Sequence, residues 1–235
     1  MTNSINSVTS SYSVQTYAAA APTTAVSSWT TAQIAAITPA DLSTLKPANI
    51  AAMTSTQVNS LTTAVFAALT ASQVQALTNT QVGSLSTTNV AALGSSQLNA
   101  LKAAQITSFT TTQVNSISTG TLSAIKGSQV AMLSSAQVAA ITTDRVASLT
   151  TAQIASLTTD QIVGLITAQL ASLATDRIAS LTASQVAAIE TADISGLTTS
   201  QVEALTATQV KAMTTSQLEK LSTAQFSAIT ASDLV

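Results

Sequence analysis

TTAQIASLTTDQIVGL, residues 150–165, states one pattern twice in succession. Working outward from it, a large apolar residue recurs every eight positions from Trp29 to Ile229, through Ile37, Leu45, Met53 and Leu61 on the way. Numbered from that residue, the octad reads L-T-T-x-Q-V-x-A. Positions one and six are apolar in all 26 octads, the last of them shortened. Position five is Gln in 17 of 26, and position two is Thr or Ser in 19 of 26. Position eight is Ala, Ser, Gly or Thr in 23 of 25, with Met132 and Lys220 the exceptions. No octad is inserted or deleted, so the repeat is the architecture.

One continuous helix does not fit this period. Eight residues turn through about 800°, so an apolar stripe would drift by about 80° per octad. An unbroken strand does not fit either, because position six and the next position one are three apart and fall on opposite faces. A short helix in each octad fits several signals at once. Thr at position two and Gln at position five make the T-x-x-Q capping box, with position two as N-cap and position five as N3. Positions one and six then become the two halves of a hydrophobic staple. Pro39 and Pro47 fall at N1, where proline is best tolerated. Asp144, Asp160 and Asp176 fall at N2, near the positive end of the helix dipole.

A helix of about six residues does not persist alone. The octads must therefore stack, and small residues at position eight let neighbouring backbones approach. The expected fold is all-α, a solenoid of very short capped helices. A β-solenoid is the alternative, since Thr and Val favour strands. Against it, six Gly in the whole chain are few for regular tight corners. A sixteen-residue superperiod runs through 142–189, where Asp144, Asp160 and Asp176 recur. It has two readings: two octads form one coil with the acids in a ladder, or a two-octad unit has been duplicated.

Composition narrows the function. Charged residues are only 7% of the chain and the net charge is −2, which leaves no basic face for nucleic acid. There is no Cys and no His, which removes thiol nucleophiles, the usual zinc and haem ligands and the commonest general base. Mean hydropathy is +0.41, but Thr, Ser or Gln interrupts every apolar run, so no membrane span is expected. The first basic residue is Lys46, and the N-terminus lacks a long apolar segment, so no Sec signal is expected.

The expected division is a non-repetitive arm over 1–28, for export or assembly, and an octad solenoid over 29–235. Candidate assembly residues are Tyr12, Val14 and Tyr17 in the arm, Trp29 closing the first octad's core, and Leu234 and Val235 at an uncapped end. No catalytic, cofactor or metal residue is assigned. Arg145 and Arg177 replace Gln at position five beside Asp144 and Asp176 and are expected to form local ion pairs. Lys46, Lys102 and Lys126 replace the cap Thr and should be exposed. Phe66, Phe109 and Phe226 occupy apolar positions and should be core. The Thr and Gln side chains are expected on the outside.

Runs such as TTAQIASLTTDQIVGL resemble the short Thr/Gln-rich repeats of some large bacterial secreted or surface proteins, often described as adhesin-like. The resemblance covers 29–235 and implies a secreted structural or adhesive role, with no functional residue carried over. The expectation is a non-enzymatic extracellular or cell-surface protein, without cofactor, whose partner is itself in a head-to-tail homopolymer. The alternatives are a binding scaffold, intracellular or injected into a host, that uses one solenoid face for a protein or peptide partner as an adhesin or effector module, and a Thr array that binds ice or a glycan.

Overall fold

The computed structural model describes residues 26–229. Within them lie 25 α-helices of four to six residues, preceded by a single 3-10 turn at Val26–Ser28, and no strand. The all-α expectation holds among the described residues, and the β-solenoid does not. One helix occupies each octad in the expected register. At Thr30 the side chain accepts from the backbone N–H of Gln33, and the Gln33 side chain accepts from the Thr30 N–H in return. The same box recurs at Thr54, Thr150 and Thr206. Pro39 and Pro47 begin their helices, and Asp144, Asp160 and Asp176 lie in the first turns of theirs.

The corner between helices needs no left-handed residue. Position two is extended, with φ −72° and ψ 158° at Thr30, and no described residue has a positive φ. Extended backbone is open to any side chain, so a chain that turns every eight residues can do so with little glycine.

The chain divides into two compact units, Met1–Phe109 and Thr110–Val235. In each, a helix packs on the helix three places further along. In the first unit Thr31–Ala35 meets Ser55–Ser60 and Pro47–Ala52 meets Ala71–Ala76. In the second unit Thr143–Ala147 meets Thr167–Ser172 and Ala183–Ala188 meets Ala207–Ala212. Three octads therefore make one turn of solenoid. This overturns the two-octad coil: acids sixteen residues apart fall out of step with a turn of three octads. Asp144, Asp160 and Asp176 accordingly lie on three different sides of the stack and form no ladder. Their spacing fits the duplication reading.

Positions one and six line the interior: Ile154, Ile178 and Ile194 are fully enclosed, and Leu149, Leu157 and Leu181 nearly so. Phe66 and Phe109 are buried as expected, but Phe226 is 49% exposed. Leu218 and Leu221 beside it are only half-buried. In inner turns a position-six side chain is covered by the helix three places on. No described helix follows Thr223–Ala228 to cover Phe226.

Position eight behaves as expected, and the geometry gives the reason. A Cβ at Gly164 would lie 3.0 Å from the carbonyl oxygen of Ser135, one turn below. At two of the position-eight serines the hydroxyl reaches the same place: Ser172 Oγ donates to Thr143 O and Ser180 Oγ to Thr151 O, whereas Ser60, Ser108 and Ser156 donate within their own helices.

Candidate functional site

The feature that organises both units is the side chain at position five. Sixteen of the seventeen Gln there are buried, Gln33 alone being exposed. The expected Thr/Gln-rich exterior is therefore wrong in its second half. The outside is Thr, Ser and Ala, and the glutamines are inside.

A buried Gln such as Gln57, Gln81, Gln97, Gln161, Gln185 or Gln209 does two jobs. Gln153 shows them clearly. Its Oε1 accepts from the Thr150 N–H at 2.8 Å, closing the capping box of its own helix. Its Nε2 donates to Leu122 O at 2.7 Å and to Ile125 O at 2.8 Å. Those two carbonyls belong to the C-terminal end of a helix one turn below, 31 and 28 residues back. Gln57, Gln81 and Gln97 repeat this offset in the first unit, as do Gln161, Gln185 and Gln209 in the second. One uncharged amide thus satisfies an orphan donor at one helix's N-terminus and orphan acceptors at another's C-terminus. The primary amide suits this role because it carries both an acceptor and two donors. We refer to each such bridge as a rung.

Substitutions at position five show which half of the job survives. Arg145 Nε donates to Ile117 O at 3.1 Å and Arg177 Nε to Leu149 O at 2.9 Å, each the carbonyl 28 residues back. Arginine keeps the donation and has no acceptor. The expected ion pairs divide accordingly. Arg177 Nη1 meets Asp176 Oδ1 at 2.9 Å. Arg145 instead turns Nη1 to Thr142 Oγ1, and no ion pair joins it to Asp144 among the described residues. Asp193 can accept but not donate, and its carboxylate takes the hydroxyl of Thr167.

The second job was missed from sequence, although a signal for it is present. A capping box accepts Glu as readily as Gln, yet no octad has Glu at position five, and the two charged donors there are Arg. The Gln rungs and the Arg octads share donation to the turn below, whereas Asp41 and Asp193 keep only an acceptor.

Of the candidate assembly residues, Trp29 is buried, and its carbonyl accepts from Gln57 Nε2 at 2.6 Å. The core also includes Val26, which takes the place of a position-six residue one octad earlier; its carbonyl accepts from Gln57 Nε2 as well. Tyr12, Val14, Tyr17, Leu234 and Val235 lie outside the described residues. Lys46, Lys102 and Lys126 are exposed as expected. Their octads remain capped where Lys46 N donates to Asn49 Oδ1 and Lys102 N to Gln105 Oε1. Among the described residues no His, Cys, Asp or Glu side chains gather in threes, and no helix is long and apolar enough to cross a membrane.

Three stretches of the chain, 34–70, 50–87 and 186–223, match the model of the ALTTAQ repeat. Together they cover under half of the chain, and they establish similarity to a short tandem repeat. The stretch between them carries Asn89, Thr121, Arg145 and Arg177, four of the departures from Gln at position five. No curated protein matches the chain.

Proposed function

We propose that this is a non-enzymatic structural protein: a solenoid that works outside the cell, at the surface or in a matrix, and assembles end to end. The observation that carries the reading is the rung. The side chains with chemical versatility, the glutamines of position five, are buried in sixteen of seventeen octads, and those of the rungs are committed to holding one turn on the next. Within each unit, a turn presents to the next the same carbonyls and amides that the rungs join, so a turn of another copy is a fitting partner. A head-to-tail contact of that sort is heterologous and grows filaments. The extracellular placement rests on the resemblance to repeats of secreted and surface proteins.

Light scattering on the full chain, with electron microscopy of the concentrated material, tests the assembly. Mass that rises with concentration, together with filaments, supports it. A species that stays monomeric at the highest soluble concentration overturns it.

A second reading has its own observation. Val163 is 45% and Ile166 53% exposed, three residues apart, at places where most octads carry a small or hydroxyl side chain. Ile166 also gives up the side-chain cap that Thr supplies elsewhere. These two residues favour a solenoid that docks a protein partner on its side, which Ile166→Thr would weaken without altering assembly.

A further inference from the structure

We propose that Asn at position seven is a second, transferable lock between turns, which releases position five from its capping duty four octads later. The clearest case is Asn115. Its Oδ1 accepts from the backbone N–H of Thr142 at 3.1 Å, and its Nδ2 donates to Ala140 O at 2.6 Å. Thr142 is the N-cap of the helix Thr143–Ala147, whose position five is Arg145. Arginine cannot accept the cap's N–H. Asn115 accepts it from the turn below, and the guanidinium is free to keep the donation to Ile117 O.

Asn59 stands in the same relation to another octad. Its Oδ1 accepts from Ser86 N at 2.8 Å and its Nδ2 donates to Ser84 O at 2.7 Å. The octad it reaches carries Asn89 at position five. Asn49 shows that an Asn there can close its own cap, with Lys46 N bonded to Asn49 Oδ1. At Asn89 the cap bond goes to Asn59 instead, and Asn89 Nδ2 turns toward the same Oδ1 at 3.5 Å.

A contrast comes from Gln75, also at position seven. The octad it reaches has Gln105 at position five, which already accepts from Lys102 N. Gln75 there makes only the donor half of the contact, to Ala100 O at 3.1 Å. Across Asn59, Asn115 and Gln75, the acceptor half is used in the two cases where position five does not take the cap amide. The lock therefore has an address: residue i serves the carbonyl of i+25 and the N–H of i+27.

The address can be moved. Arg177 leaves the N–H of its N-cap, Ala174, without a Gln acceptor, and the residue 27 positions earlier is Ala147. Ala147→Asn should bond to Ala174 N and Ser172 O. Amide hydrogen exchange on the full chain reads this directly. The Ala174 amide should exchange about fivefold more slowly, as expected for one added hydrogen bond of ordinary net strength. In an Arg177→Gln background, where Gln closes the cap itself, Ala147→Asn should add no protection. The reciprocal pair guards against a variant that fails to fold. Asn115→Ala should speed exchange at Thr142 about fivefold, and adding Arg145→Gln should reverse it. Unchanged exchange at Ala174 in Ala147→Asn, equal protection in both backgrounds, or no rescue by Arg145→Gln would each overturn the proposal.

Discussion

Octads 141–148 and 149–156 are neighbours of nearly the same sequence, ITTDRVAS and LTTAQIAS, yet their turns are held together differently. In the second, one buried Gln153 closes its own helix and reaches two carbonyls of the turn below. In the first, Arg145 reaches one carbonyl, and the cap belongs to Asn115 from another octad. The comparison separates two requirements that the regular octad merges into one side chain. One is a donor to the C-terminal carbonyls below and the other is an acceptor for the N-cap amide. Any residue or pair of residues that supplies both will serve.

The comparison can be broken hardest at Gln153. Gln153→Leu keeps the bulk but strands the Thr150 N–H and the carbonyls of Leu122 and Ile125. Each buried orphan costs about 1–3 kcal/mol and three are created, so a loss of at least roughly 3 kcal/mol is expected in denaturant unfolding. Because contacts in a solenoid run between neighbouring turns, the loss should show first as local opening around 122–157 in hydrogen exchange.

Gln153→Glu separates the two requirements by pH. The carboxylate can still accept from Thr150 N but faces two carbonyl oxygens with no proton to give. The protonated form can donate, so the folded state raises the carboxyl's proton affinity above its unfolded value. Stability is then present at acid pH and lost as pH rises through the raised value, the reverse of an ordinary carboxylate. Thermal melts of this variant and the parent should converge in acid and separate by neutrality; a gap independent of pH would contradict the donor requirement.

Thr150→Ala removes only the side-chain half of one capping box. A loss of about 1 kcal/mol is expected, with the Gln153 bonds to the turn below unchanged. Smaller still is Arg177→Gln. It gives up the partly exposed ion pair to Asp176, worth under about 1 kcal/mol, and restores a cap acceptor for Ala174. A gain of roughly 0.5 kcal/mol is expected, read as a small rise in denaturant midpoint with unchanged slope.

The helices were legible in sequence because their causes are local. A capping box joins residues three apart, a staple residues five apart, and Pro39 and Pro47 mark N1 by their own geometry. The small residue at position eight was legible as close approach, and Gly164 over Ser135 is that approach. Phe226 was misread because its position in the octad says core, whereas burial depends on a helix three places later. The Arg145 ion pair was misread because Asp144 is adjacent in sequence, while Ile117 O, which the guanidinium prefers, is 28 residues away.

The octad by itself determined a short capped helix at every repeat, its register, and an interior made of positions one and six. Only the tertiary structure decided that three octads make a turn. That number follows from where a helix's leftover carbonyls find donors, and those carbonyls lie 28 and 31 residues before the amide that meets them. A pattern of period eight is the same whether turns hold two, three or four octads, because every octad carries the same Gln. Closure of the turn selects among them, through backbone positions that the sequence does not record.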